Sequence, residues 1–325
     1  MIVINLSYLN ASNGMFWYAM DKIKTLDEGA VDYVVMVKAE LAPLARRELP
    51  RAVIHESTKL KSTMQILRRK ALRRSPLRVV TFTSHPIPFL ADQTIAFYDD
   101  YPFAGRMGVI KRLLFTVAAR SSKCRVGIIN RSLALPFLKR CGIPECRIFF
   151  DSAFPAMDVR DVGARSATPA SPPRVGLVGT DSRKKNYAAI FDAVMTLGVH
   201  HDLRFLVYGS DNDYARALRQ DFKDVDFTIV SSDQIDIPQF FEGIDYLVSA
   251  SRAEGYGRPM GLAVMLGVPL FLLESPVFME FFADHAHFFD NVPEMLRYIV
   301  DVRPPAATAV SSDLSIIASR SPFFE

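Results

Sequence analysis

The residues best suited to chemistry lie between positions 254 and 269, EGYGRPMGLAVMLGVP. Glu254 stands ahead of Gly255 and Gly257, which flank Tyr256, and a backbone without a Cβ at those positions lets a ligand approach closely. Pro259 suits the first turn of a helix, and N–H groups at a helix start face an anion. A carboxylate just ahead of such a turn is placed to accept hydrogen bonds from the hydroxyls of a ligand. Gly267-Val-Pro269 ends the helix and leads into a strand at Leu270–Leu273. Upstream, RVGLVG (174–179) is a short apolar run closing on Gly179, with Arg183, Lys184 and Lys185 shortly after it. That pattern reads as a buried parallel strand feeding a basic loop.

The elements that must position these groups alternate. After the strand at 174–178 the sequence predicts a helix over Asn186–Leu197, a strand over Leu203–Tyr208 and a helix over Tyr214–Phe222. Strand Phe227–Val230, helix Ile237–Glu242, strand Tyr246–Val248, helix Pro259–Leu266, strand Leu270–Leu273 and helix Pro276–Ala283 follow. Such a rhythm argues for a doubly wound parallel sheet, in which ligands bind beyond the carboxyl ends of the strands. The first half alternates less cleanly. Strands are expected at Ile2–Leu6, Tyr33–Val37, Val79–Phe82, Ile95–Phe97 and Val126–Ile129, with helices at Met15–Thr25 and Ile110–Ala119.

At 325 residues, half of them apolar, the chain is long enough for two domains of roughly 150 residues each. The small, proline-rich stretch SATPASPP marks a linker at 166–173. The expected division is therefore an N-terminal domain over 1–165, a C-terminal domain over 174–303, and a tail over 304–325 that packs back on the N-terminal domain. A short helix is expected near Leu314–Ser319. No apolar run approaches the roughly 18–20 residues of a membrane span, and MIVINLSYLN reads as a first buried strand rather than a signal peptide. Three cysteines without CxxC spacing argue against a zinc site or a disulfide framework and for a reducing cytosol.

The net charge of +4 hides a split. Residues 1–165 carry 26 Lys and Arg against 14 Asp and Glu, a net +12, and the remainder carries 13 against 21, a net −8. Stretches 57–91 and 101–144 contain no acid at all. Within 59–74, KLKSTMQILRRKALRR, residues Leu60, Met64, Leu67 and Ala71 share one helical stripe. Lys59, Lys61, Arg68, Arg69, Arg73 and Arg74 surround it. Two readings stand, a solvated helix face and a contact with an anionic membrane surface. No nucleic-acid motif accompanies the basic residues, so nucleic acid is not an expected partner. His285 and His287 lack the spacing of a helical metal pair. Asp211-Asn-Asp213 follows a strand as ordinary turns do, and no metal site is expected.

The stretch Glu254–Pro269 resembles the hallmark of the family-4 glycosyltransferases, E-G-F-G-L-P-x-x-E-A-x-x-x-G-x-P. Glu254, Gly255, Tyr256, Gly257, Pro259, Ala263, Gly267 and Pro269 carry the match. Asp245 to Ser251, DYLVSAS, is similar to the family's preceding strand. Glu280 to Asp290, EFFADHAHFFD, is similar to its following motif, and Val178-Gly179 to Lys185-Asn186 to its glycine loop. The resemblance covers about 120 residues. It implies an α/β protein with two Rossmann-like doubly wound domains facing a cleft, the GT-B arrangement. It also implies a nucleotide-diphosphate sugar as co-substrate without a cofactor or metal, and transfer to a glycan or lipid-linked acceptor with retention. Bacterial surface polysaccharide or lipopolysaccharide synthesis is the setting it implies, in the cytoplasm and peripherally on the inner face of the membrane.

By the same resemblance Lys185 takes the place of the lysine on the donor diphosphate, and Glu254 meets the sugar hydroxyls. Donor contacts are also expected from Gly14, Gly179, Arg183, Gly209, Ser210, Gly255, Tyr256, Gly257 and Glu280. Glu254 and Lys185 are expected at opposite ends of one activated saccharide. Asp99 joins them as a catalytic candidate and Tyr98 as an acceptor-side residue, because Ile95–Tyr101 resembles a stretch lining the family's cleft; His85, in SHPIP between strand-like residues, is a further acceptor-side candidate. The sequence departs from the pattern at Thr180, where the family has arginine, and at Leu262, where it has the glutamate that grips the ribose. Two further readings remain open: a catalytically degenerate sugar- or nucleotide-binding subunit, and a GT-B nucleotide-sugar epimerase.

Overall fold

The computed structural model describes residues 1–9, 13–27, 31–72, 77–103, 107–153, 169–180, 183–251, 253–305 and 321–324. Arg73, Arg74, the start of the expected linker and the expected helix near 314–319 lie outside them. The chain divides into two units, Met1–Ala156 with Ser315–Glu325, and Met157–Leu314.

In the first unit β1 (Ile2–Asn5), α1 (Gly14–Asp27), β2 (Tyr33–Val37), α2 (Ala42–Glu48), β3 (Val53–Glu56) and α3 (Lys59–Leu72) follow one another. Then come β4 (Arg78–Thr81), β5 (Thr94–Phe97), α4 (Gly108–Ala119), β6 (Arg125–Ile128), α5 (Ala134–Arg140) and β7 (Ile148–Phe150). All seven strands are parallel, in the order β3-β2-β1-β4-β5-β6-β7. The central strands are continuous apolar runs because helices cover both faces of a parallel sheet; β1 and β2 are buried at every residue. The two edge strands were not legible, since VIHE and IFF are only partly buried. Asn13 opens α1 by accepting from the N–H groups of Met15 and Phe16 at 3.2 and 3.3 Å, an N-cap.

Residues 321–324 pack on the first unit. The Phe323 ring lies 4.9 Å from both Phe82 and Phe149. Gly127 in β6 makes the space, because a Cβ there would sit 2.3 Å from that ring. Arg78 donates to the Phe324 carbonyl. Buried Asp151 accepts from Tyr18 Oη at 2.7 Å, Lys22 Nζ at 3.2 Å and Ser321 Oγ at 3.1 Å. On the opposite sheet face Phe97, Phe103, Phe115 and Phe137 stack together.

The second unit runs β8 (Arg174–Val178), α6 (Tyr187–Leu197), β9 (Arg204–Tyr208), α7 (Asp213–Asp221), β10 (Phe227–Val230) and α8 (Ile237–Glu242). It continues with β11 (Tyr246–Ser249), α9 (Arg258–Met265), β12 (Leu270–Leu273), α10 (Pro276–Phe282), β13 (Ala286–Phe289) and α11 (Val292–Val302). Its six parallel strands are ordered β10-β9-β8-β11-β12-β13. The order reverses between β8 and β11, which makes their carboxyl ends the crevice where such sheets bind ligands. The alternation read from sequence holds throughout, with β13 and α11 added. In α11, Asn291 accepts from Glu294 N–H at 3.0 Å, while Met295, Leu296 and Ile299 pack with Ile190 and Val194 of α6.

Phe323→Ala removes a fully buried ring from the sheet face and is expected to lower stability by about 3–5 kcal/mol. Urea unfolding measures it; a loss below 1 kcal/mol would mean the terminal segment contributes little to the first unit.

Candidate functional site

The loop after β8 is tied down at three points. Gly179 N–H donates to the Tyr208 carbonyl at 2.8 Å. Asn212 Nδ2 donates to the Thr180 carbonyl at 2.6 Å while its Oδ1 caps α7 through Ala215 N–H at 3.0 Å. Tyr187 N–H, at the start of α6, donates to the Tyr214 hydroxyl at 3.1 Å. Between the last two ties Arg183–Lys185 form one tight helical turn, and Asn186 takes a left-handed conformation at φ 59°. The loop is thus held on both sides of its three cations.

The loop after β11 brings Glu254 to the same place. Gly257, at φ 91°, opens α9 in a conformation that L side chains rarely adopt. Pro259 follows in the first turn. Glu254 is 9 % exposed. Lys185 Nζ donates to its Oε1 at 2.9 Å, and Lys184 Nζ lies 3.9 Å from its Oε2. Burial pushes the carboxyl's pKa up, but the Lys185 and Lys184 charges pull it down further, and the balance lies below the ordinary carboxylate value. The structure thus brings Glu254 and Lys185, expected to act on one saccharide, to the same place. They are in direct contact, because a buried carboxylate is stable only when charge is brought against it.

Other expected residues fall in different places. Gly209 N–H donates to the Val230 carbonyl at 2.8 Å, and a Cβ on Gly209 would meet Thr180 Oγ1 at 2.6 Å. Thr180 Oγ1 in turn donates to the Ser210 carbonyl at 2.7 Å. Buried Thr180, at the family's arginine position, thus closes the packing between two loops. Tyr256 sits between the two glycines of this loop. Its ring is buried against Phe281 and Phe282, 4.7 and 5.6 Å away, so the backbone is its face to the loop. Leu262 is buried in α9. Glu280 is exposed on α10, and Gly255 lies in the loop beside Glu254.

Gly14, His85, Tyr98 and Asp99 belong to the other unit. Tyr98 is 5 % exposed, donates to the Phe82 carbonyl at 3.3 Å and packs edge-on against Tyr18. It is a core residue of the sheet face, because its hydroxyl is engaged and its ring enclosed. Asp99 follows it, half-buried. His85 stacks on Tyr8 at 5.7 Å. Its pKa is lowered by burial first and then by the Lys111 and Lys59 charges. In the D-x-D stretch, Asp211 pairs with Arg219 at 2.7 Å and Asp213 with Arg216 at 2.5 Å. Asn212 between them was read only as a turn residue. Its position three before an N–H of α7 is the cap signal that could have singled it out.

With both sheets parallel and each flanked by helices, the chain has the GT-B fold of two Rossmann-like domains. It is similar to WaaG, a glycosyltransferase involved in lipopolysaccharide biosynthesis, at 13 % identity and a TM-score of 0.67, over 92 % of this chain and 90 % of that one. It is likewise similar to sucrose-phosphate synthase from Thermosynechococcus elongatus, at 12 % identity and 0.66, over 92 % and 89 %. A third similar structure is S. aureus MnaA with UDP, at 14 % identity and 0.58, over 93 % and 87 %. At these identities the likeness is one of fold. No family model and no curated protein matches the chain.

A carboxylate with a lowered pKa stabilises the fold above its ordinary titration range, and that stabilisation disappears as pH falls through the folded-state value. The stability advantage of the native chain over Glu254→Gln is therefore expected to be constant near neutrality and to shrink below about pH 4.5. Thermal unfolding from pH 7 to pH 3 reads this. An advantage that grows with acid would mean the pair is not charged.

Proposed function

We propose that this chain is a glycosyltransferase, moving a sugar from a nucleotide-diphosphate sugar to a glycan or lipid-linked acceptor. The reading extends to retention of configuration, to independence from metal, and to bacterial surface polysaccharide or lipopolysaccharide synthesis. The carrying observation is the Lys185–Glu254 pair at the carboxyl ends of β8 and β11, where a sheet of this topology takes a nucleotide. The fold likeness to WaaG and to WaaB, a lipopolysaccharide outer core galactosyltransferase, supports the class. The TarM structure with UDP and the MnaA structure with UDP support the donor chemistry.

A donor separates the pair. Its diphosphate takes Lys185, with Lys184 and Arg183 beside it, and gains charge-assisted hydrogen bonds. Glu254, released from the ammonium, accepts from sugar hydroxyls and faces the positive charge that develops as the glycosidic bond breaks. The three cations stabilise the departing diphosphate, where negative charge grows, so the reaction needs no metal. Gly179, Gly209, Ser210, Gly255 and Gly257 supply close backbone approach, and Glu280 a further contact from α10. Leu262 leaves the ribose without a carboxylate partner, which supports a rival reading of this site as a binding subunit without turnover. In this reading the first unit takes the acceptor, with Asp99 as its catalytic candidate and His85 as an acceptor-side residue, while Gly14 stays a candidate donor contact.

The basic helix α3 faces an anionic membrane surface in this reading. Leu60 and Met64 of its expected stripe are exposed, while Ser62 and Ile66 face the core. Lys59, Lys61, Arg68 and Arg69 surround the exposed residues. Among the described residues no helix is long and apolar enough to cross a membrane.

A thermal-shift panel of nucleoside diphosphates and their sugars tests the donor. The true one at 100 times its dissociation constant is expected to stabilise the fold by about 2.7 kcal/mol. Lys185→Ala is expected to weaken that donor by about 10- to 100-fold, the worth of a charge-assisted hydrogen bond. Unchanged affinity in this variant overturns the diphosphate assignment. Binding without transfer selects the degenerate subunit, and release of an epimerised nucleotide sugar selects the epimerase.

A further inference from the structure

Helix α4, GVIKRLLFTVAA, is apolar on both sides. Three residues serve the core: Gly108, Phe115 and Ala119 are buried, and Phe115 stacks with Phe97 and Phe103. The opposite stripe, at the i, i+4, i+8 spacing of one helix face, consists of Val109, Leu113 and Val117. They are 77 %, 62 % and 65 % exposed, and Ile110 and Leu114 beside them are at least half exposed. An isolated exposed apolar residue is ordinary, whereas five on one 12-residue helix mark a contact surface.

The surroundings of the stripe identify what covers it. Lys111 and Arg112 lie on the same helix, Lys123 shortly follows, and 101–144 contains no acid. The start of α3 meets the turn after β4 through Tyr8, whose ring stacks on His85 at 5.7 Å and lies under Lys59 Nζ at 5.6 Å, and the Lys111 charge of α4 also acts on His85. That turn presents Phe89, 98 % exposed at φ 62°, and α3 adds exposed Leu60 and Met64. The surface is thus apolar within a cationic collar. A second copy of this chain would set collar against collar, and like charges oppose that contact. Anionic headgroups over acyl chains match both features.

We propose that α4, with Phe89, enters the headgroup–acyl boundary of an anionic bilayer and fixes the first unit on it. The proposal rests on the membrane-surface reading of α3 and adds α4, with Phe89, as the element that inserts.

Sedimentation of the full chain with phosphatidylglycerol-containing and with pure phosphatidylcholine vesicles tests it. The native chain is expected to bind the anionic vesicles, and Val109→Ser/Leu113→Ser/Val117→Ser to bind them at least about tenfold less. The triple variant replaces exposed residues, so its unfolding temperature is expected to match the native one. Leu113→Trp is expected to shift its emission to the blue on anionic vesicles. Equal binding by the triple variant overturns insertion. If Lys59→Gln/Lys61→Gln/Arg68→Gln/Arg69→Gln then loses binding, the charge-based reading of α3 survives alone. No vesicle binding by the native chain overturns both. A dimer that the serine variant splits, without vesicle binding, overturns the proposal in favour of self-association.

Discussion

A carboxylate withdrawn from water must be matched by charge, and in this chain that requirement is met by two lysines on a different loop. Glu254 lies at 9 % exposure with Lys185 at 2.9 Å and Lys184 at 3.9 Å. Desolvating an isolated carboxylate costs several kcal/mol, and the Coulomb attraction of a close ammonium offsets it. The three ties made by Tyr208, Asn212 and Tyr214 hold the lysines where they must be, and the left-handed glycine at 257 aims the glutamate. Much of the second unit's loop architecture is explained by that one neutralisation.

Thr180 and Leu262 are held by packing rather than by charge. Thr180 fills space against Gly209 and satisfies the Ser210 carbonyl, work that an arginine would not do in so tight a gap. Leu262 sits with Met260, Ala263 and Val264 on the buried side of α9. Both residues are at home in an apolar, closely packed setting. What they alter is the set of groups offered to a ligand.

The first unit manages its charge differently. Residues 1–165 carry a net +12 against −8 for the remainder, yet buried Asp151 is spent internally on Tyr18, Lys22 and Ser321. The surface cations of α3 and α4 therefore face solvent together with apolar side chains. Such an arrangement is costly in water and favourable against an interface that is both anionic and oily.

Sequence by itself determined the rhythm of strands and helices, since a parallel sheet covered on both faces requires unbroken apolar runs. It also determined the glycine frame around Glu254 and the basic loop ahead of Asn186, which are local patterns of residue type. It missed β3, β7 and β13 because these edge strands lack that burial. Tertiary structure alone decided that Lys185 and Glu254, 69 positions apart, touch each other. It alone turned Tyr98 and Tyr256 into core residues, and it set Val109, Leu113 and Val117 outward. Helical spacing gives an apolar stripe but not the side on which the core lies, and only packing across the chain supplies that direction.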